Sequence, residues 1–222
     1  MSVQTEPNAT FFTEHQRATI EAAMARIIPT NDTPGAREAG TVDFVDRYLS
    51  GIGYIYAKPD GSGFEELTGR SADAWRQRVE MAGHKYVAGI DLLDELARDR
   101  GADNFVALDA EGQDAVLTVL DQRAQGIEID PDLAPPEVAY GMEPALQQTN
   151  AESDLDFFPL LVTHTRQGFL SDPIYGGNRN QVGWQVIGFP GPASLAEVHS
   201  GRYSTLDYFA DNRVHRGQET LR

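Results

Sequence analysis

The stretch from Ser71 to Ala97, SADAWRQRVEMAGHKYVAGIDLLDELA, decides the fold. Trp75, Val79, Ala82, Tyr86, Ile90, Leu93 and Leu96 recur in it every three or four residues, the spacing of one buried face of an α-helix. Arg98 and Arg100 give the last turn a basic end, which suits the negative pole of the helix, and Gly101 stops it. Working outward, the same period appears on both sides. Thr13 and Gln16 are spaced as a capping box before Ile20, Ala23, Met24, Ile27 and Ile28, and Pro29 ends that helix. Thr30 to Gly35 is a turn, and a short helix follows with Val42, Val45, Tyr48 and Leu49 on one face. Beyond the long helix, Asp109 caps a segment that turns Val116, Leu117 and Leu120 inward, and Asp154 is placed to cap a last helix through Phe157, Phe158, Leu161 and Val162, ending at Gly168.

This pattern predicts a mostly α protein: an irregular bundle of about five helices with long Pro- and Gly-rich loops. Residues 1–11 read as a frayed arm, and residues 12–222 as one helical domain with a C-terminal loop at 168–191 and a tail. Gly51 to Gly63, with four glycines and Pro59-Asp60-Gly61, is a loop or a small hairpin. Gln125 to Glu152, with four prolines and little periodicity, is a long connection, a wrapping arm or a lid.

Composition narrows the function. Acidic residues number 34 against 18 basic ones, a formal net charge of -16, and only Lys58 and Lys85 are lysines. Nucleic acid requires a basic face, so that class is disfavoured. No run of about 18 apolar residues is present to span a membrane. The absence of cysteine excludes disulfides, thiolate zinc sites and iron–sulfur clusters held by this chain. The first residues, Met1 to Asn8, lack a positive region, an apolar core and paired arginines, so the expected location is the cytoplasm unless a partner carries the protein out.

The other dense signal is Gly168-Phe169-Leu170-Ser171-Asp172-Pro173-Ile174-Tyr175-Gly176-Gly177-Asn178-Arg179-Asn180, continuing through Gly183-Trp184 to Gly188-Phe189-Pro190-Gly191. So much Gly, Pro and Asn argues against a regular helix or strand, yet the aromatics are too apolar for an idle solvent loop. Two readings stand for Tyr175, Trp184 and Phe189: a loop folded back into the bundle's own core, or a surface that docks a partner, with Arg179 among its anchors.

This string resembles the signature of the gluconate 2-dehydrogenase subunit 3 family. The N-terminal blocks Phe12-Thr13-Glu14-His15-Gln16-Arg17, Arg26-Ile27-Ile28-Pro29-Thr30, Thr33 to Gly40 and Asp43-Phe44-Val45-Asp46 agree with it. The resemblance implies a small, non-catalytic subunit of an FAD-dependent sugar or sugar-acid dehydrogenase. The partner would be a large flavoprotein of the glucose–methanol–choline (GMC) type, which holds the FAD and takes hydride from a sugar or polyol hydroxyl with its own His base. On that reading Asp172, Pro173, Tyr175, Gly176, Gly177, Asn178, Arg179 and Trp184 bind the partner, with docking weighted on Tyr175 and Arg179 and packing on Trp184. The loop or the Pro-rich connection would shape the partner's active-site entrance.

The residues themselves offer little for autonomous catalysis. Gly51-Ile52-Gly53 is not followed by a helical pattern, and no Gly-x-Gly-x-x-Gly turn occurs, so no cofactor is expected on this chain and the FAD is expected in its partner. His15, His84, His164, His199 and His215 show no metal-ligand spacing. His164 could serve as a base near Asp172 but reads better as a hydrogen-bonded structural residue. Ser171-Asp172 lacks a nucleophile elbow. Glu14, Glu38, Asp43 and Asp46 read as solvated helix faces and caps, with Asp43 and Arg47 an ordinary i, i+4 surface pair. The alternative is an autonomous sugar-modifying enzyme with a His–carboxylate site.

Overall fold

The computed structural model describes residues 10–124, 152–192 and 195–202. Most of the N-terminal arm, the connection from Gln125 to Ala151, and the tail with His215 lie outside the described residues. Within them the chain is helical: α1 (Glu14–Ile27), α2 (Thr41–Leu49), α3 (Gly69–Arg98), α4 (Ala110–Ala124), α5 (Phe157–Leu170) and two short helices, α6 (Val182–Val186) and α7 (Leu195–His199). The five long helices are those the periodicity predicts. The loop after Gly51 is the hairpin of the two alternatives. Ala57 and Phe64 form a single antiparallel bridge, with Lys58 N–H donating to Gly63 O at 2.7 Å and Glu65 N–H to Tyr56 O at 2.8 Å.

Local signals act as expected at several ends. Thr13 and Gln16 make both bonds of the capping box. Gly112 N–H donates to Asp109 Oδ1 at 2.8 Å at the start of α4. The 30-residue α3 lies along the bundle and buries Tyr86, Ile90 and Leu93. Ile20 and Met24 of α1, Val42 and Val45 of α2, Val116 of α4, and Leu160 and Leu161 of α5 close around it.

The start of the last long helix differs from expectation. Asp156, not Asp154, is its N-cap, and its side chain makes no capping bond. The cause is Lys85 on α3, whose Nζ donates to Ser153 O and Leu155 O at 2.6 Å each. Glu152 and Ser153 are still helical and Asp154 lies in the turn that follows, so with Lys85 holding the carbonyls on either side of Asp154 the next helix starts only after Asp156. The far end differs too, at Leu170 rather than Gly168. Gly168 is a contact rather than a stop: a Cβ there would lie 2.9 Å from Thr41 Cγ2 and 3.0 Å from Phe44 Cβ of α2.

His164 is structural. It is 1% exposed, its Nδ1 shares a 3.0 Å hydrogen bond with the Tyr86 hydroxyl, and the Tyr48 ring meets it edge-on at 5.2 Å. Burial drives its pKa down from 6.5 to about 4. The unfolded chain therefore binds a proton that the native state refuses. Above about pH 6.5 both states are neutral and nothing is lost. As the pH falls through that value towards 4 the native state loses stability, to a total of about 3 kcal/mol. Urea titrations at pH 7 and pH 4.5 test this. His164→Gln should show a shallower loss than the parent, whereas parallel losses would mean that His164 ionises freely in the fold.

Candidate functional site

The loop after α5 is built by inward-turned polar groups. Asp172 Oδ1 accepts from Ile174 N–H at 2.9 Å, and Pro173 opens a 3-10 turn, Pro173–Tyr175, that Gly176 closes at φ 108°. Gly177 lies on the backbone of α5: a Cβ there would be 2.1 Å from Gly168 O. Asn178 is fully buried and clamps the loop across its width, with Nδ2 donating to Ser171 O at 2.9 Å and Oδ1 accepting from Gly183 N–H at 2.8 Å. Asn178, Asn180 and Gln181 all adopt left-handed backbone, turning the chain so sharply that one helical stretch, α6, forms within it. The Gly- and Asn-rich composition argued against any helix here; in the structure the left-handed residues start one instead of preventing it. Trp184 on α6 is 6% exposed, donates from Nε1 to Leu170 O at 2.7 Å, and meets Phe189 edge-on at 5.3 Å.

The two distant sequence blocks meet here. Arg179 N–H donates to Ala39 O at 2.9 Å and its Nη2 to Asp43 Oδ2 at 2.6 Å. Asp43 also pairs with Arg17. The expected Asp43–Arg47 pair is replaced, because Arg47 Nη1 donates to Ile174 O at 2.7 Å and its guanidinium lies over the Tyr54 ring. Asp46 is not a solvated face either. It is buried and accepts from Phe11 N–H at 2.8 Å and Phe12 N–H at 2.9 Å, fixing the entry into α1. Glu38 takes Thr30 Oγ1 at 2.6 Å and Gly35 N–H at 2.8 Å; the Thr30 bond first, then Gly35, hold its pKa below the usual carboxylate value. No cluster of His, Asp and Glu suited to a metal occurs among the described residues.

The loop residues thus divide. Gly176, Gly177, Asn178 and Trp184 face inward and hold the loop on α2 and α5. Asp172 and Pro173 are half-buried and shape its first turn. Tyr175 is half-buried, its ring against Phe64 at 5.7 Å and its hydroxyl accepting from Ala57 N–H at 3.3 Å. Arg179 is exposed beside Asp43. Three large apolar side chains face solvent around this bracing: Leu170 (41%), Val186 (38%) and Ile187 (59%).

Next to the loop is a cleft of about 600 Å³ that sequence reasoning did not find. Phe44, Tyr48, Tyr56, Trp75 and Tyr175 supply its aromatic lining. Its polar side holds an ion pair between Arg78, 8% exposed, and Glu152, with Gln167 Nε2 donating to Glu152 Oε1 at 2.9 Å. The Arg78 guanidinium lies 4.6 Å from the Trp75 ring centroid. Burial pushes the Tyr48 hydroxyl up to about 12. The lining comes from α2, the hairpin, α3, α5 and the loop, so no local spacing announces it.

Among the described residues the chain is mostly helical, with its N-terminal helices and C-terminal loop pinned together, and its order of blocks is specific. The model of the gluconate 2-dehydrogenase subunit 3 family matches residues 14–191, and the chain belongs to that family. Its name is that of a subunit of an oxidoreductase complex. The comparisons with curated proteins and with solved structures give no match.

Proposed function

We propose that this chain is the accessory small subunit of an FAD-dependent oxidoreductase acting on sugar or polyol hydroxyls. In this reading a large GMC-type flavoprotein holds the FAD and performs hydride transfer, and this chain docks on it through the face that carries the braced loop. The observation that carries the reading is the exposure of Leu170, Val186 and Ile187 around a loop that the buried Asn178 clamps from within. Large apolar groups left outside a braced loop suit the core of an interface, with Arg179 at its edge. A subunit that binds only the folded partner stabilises it by mass action.

Co-expression with the large flavoprotein tests this. Ile187→Asp places a charge where apolar contact is expected, and Arg179→Ala removes an exposed pair worth about 0–1 kcal/mol to the fold. Both variants should melt within a few degrees of the parent (roughly 2–4 °C per kcal/mol for a chain of this size). Ile187→Asp should lower recovery of the complex and its activity at least tenfold, and Arg179→Ala to a lesser degree. Tyr175→Ala is less clean, because the ring also braces the hairpin. Full recovery of an active complex with both Ile187→Asp and Arg179→Ala would remove this face from the interface.

A further inference from the structure

We propose that the aromatic cleft beside the loop is a small-molecule site for an uncharged, hydroxylated ring compound. The proposal does not depend on which partner the chain docks, since every residue of the site belongs to this chain.

Size comes first. About 600 Å³ is far more than a packing defect and falls among ligand clefts of roughly 300–1,000 Å³. The lining follows the usual division of such sites, with flat apolar walls and a few polar groups set among them. Tyr56 and Trp75 meet edge to face at 5.9 Å, and Tyr175 is fixed by Phe64 and Ala57 N–H, so these rings stand in defined orientations. Fixed ring faces select a ring-shaped guest that can lie against them.

Charge comes next. Arg78 and Glu152 neutralise each other, and Gln167 adds a further bond to the carboxylate. A charged guest would be desolvated beside a pair that is already balanced and would find no counter-ion there. A neutral guest avoids that penalty. The Tyr48 and Ser171 hydroxyls complete the selection. Both belong to the lining; the Ser171 hydroxyl has no hydrogen-bond partner among the described residues, while the Tyr48 hydroxyl sits beside Arg78. A buried hydroxyl without a partner is unfavourable, and rotation of the Ser171 side chain into the cleft would bring its hydroxyl to a guest oxygen that satisfies it. Hydroxyl groups on the guest match these hydroxyls.

A pyranoside and a phenol both carry this chemistry, so the test uses one of each with its charged counterpart. Methyl β-D-glucopyranoside is paired with methyl β-D-glucopyranosiduronate, and hydroquinone with 4-hydroxybenzoate. Each is added to the full purified chain at concentrations up to the order of 10 mM, with binding read by saturation-transfer NMR and titration calorimetry. At least one neutral compound should bind, its charged counterpart at least tenfold more weakly, and the neutral compound that binds identifies the guest's source. Trp75→Ala and Tyr56→Ala should each weaken that binding at least tenfold. Tyr56 is the more exposed of the two, so its variant keeps the test valid if Trp75→Ala proves unstable. No binding by either neutral compound, equal binding of a charged counterpart, or undiminished binding in a folded Tyr56→Ala variant would overturn the proposal.

Discussion

Trp184→Ala is expected to cost about 3–5 kcal/mol, the range for deleting a buried Trp side chain. For a chain of this length that is a fall in Tm of roughly 6–20 °C. Three losses combine. The indole ring leaves a void against Phe189 and beneath Gly191, whose Cα would carry a methyl only 2.1 Å from the ring. The Nε1 donor to Leu170 O disappears, leaving a carbonyl at the end of α5 without it. The single helical stretch of α6 loses the side chain that anchors it. Trp184→Phe separates the terms, since it keeps most of the ring and loses only the hydrogen bond, at about 1–2 kcal/mol. Thermal melting of the two variants checks the order. An unchanged melting temperature in Trp184→Ala would mean that the loop is an appendage and not part of the folded unit.

Gly177→Val is the second large effect, at about 3 kcal/mol or more. The reason is not left-handed backbone at Gly177 itself. The new Cβ would sit 2.1 Å from Gly168 O, a backbone atom that cannot swing aside like a side chain, so loop and α5 must separate. That separation would also pull on Asn178, which holds Ser171 O and Gly183 N–H together. Gly188→Ala is the control. Gly188 has φ +69° and open space where a Cβ would go, so only the left-handed conformation is penalised, at roughly 1–2 kcal/mol. Equal destabilisation of the two variants, measured by urea unfolding, would show that the loop does not rest on the α5 backbone.

The parts of this fold that could be read in the sequence are those set by neighbours along the chain. The capping box at Thr13, the Asp109 cap and the apolar stripe of α3 each depend on residues within a few positions, and all appear as expected. What was misread depends on residues far away. Asp154 has the right chemistry for a cap but loses to Lys85, about seventy positions earlier, which takes the carbonyls on either side of it. Asp43 has Arg47 one turn along its own helix, yet it pairs with Arg17 and Arg179. The cleft was invisible for the same reason: Tyr48, Tyr56, Trp75 and Tyr175 each look like ordinary core or hairpin aromatics until four segments converge. At the loop, composition marked out a dense segment, and its division into inward clamps and exposed groups required the bracing contacts.

The bracing has a consequence for when the face comes into being. Arg179 closes on Asp43 across 136 residues and Arg47 on Ile174 across 127. Closures of such length form late, because the entropy of joining the ends is lost before any contact compensates it. During synthesis α1 to α4 emerge while the residues that finish the face are still to be made, and nothing local can substitute for Asn178 or Trp184. A chain cut short before α6 can therefore hold most of its helices and still present no finished surface. On the proposed reading, a partner that docks on this face would take up only chains whose synthesis has passed the loop.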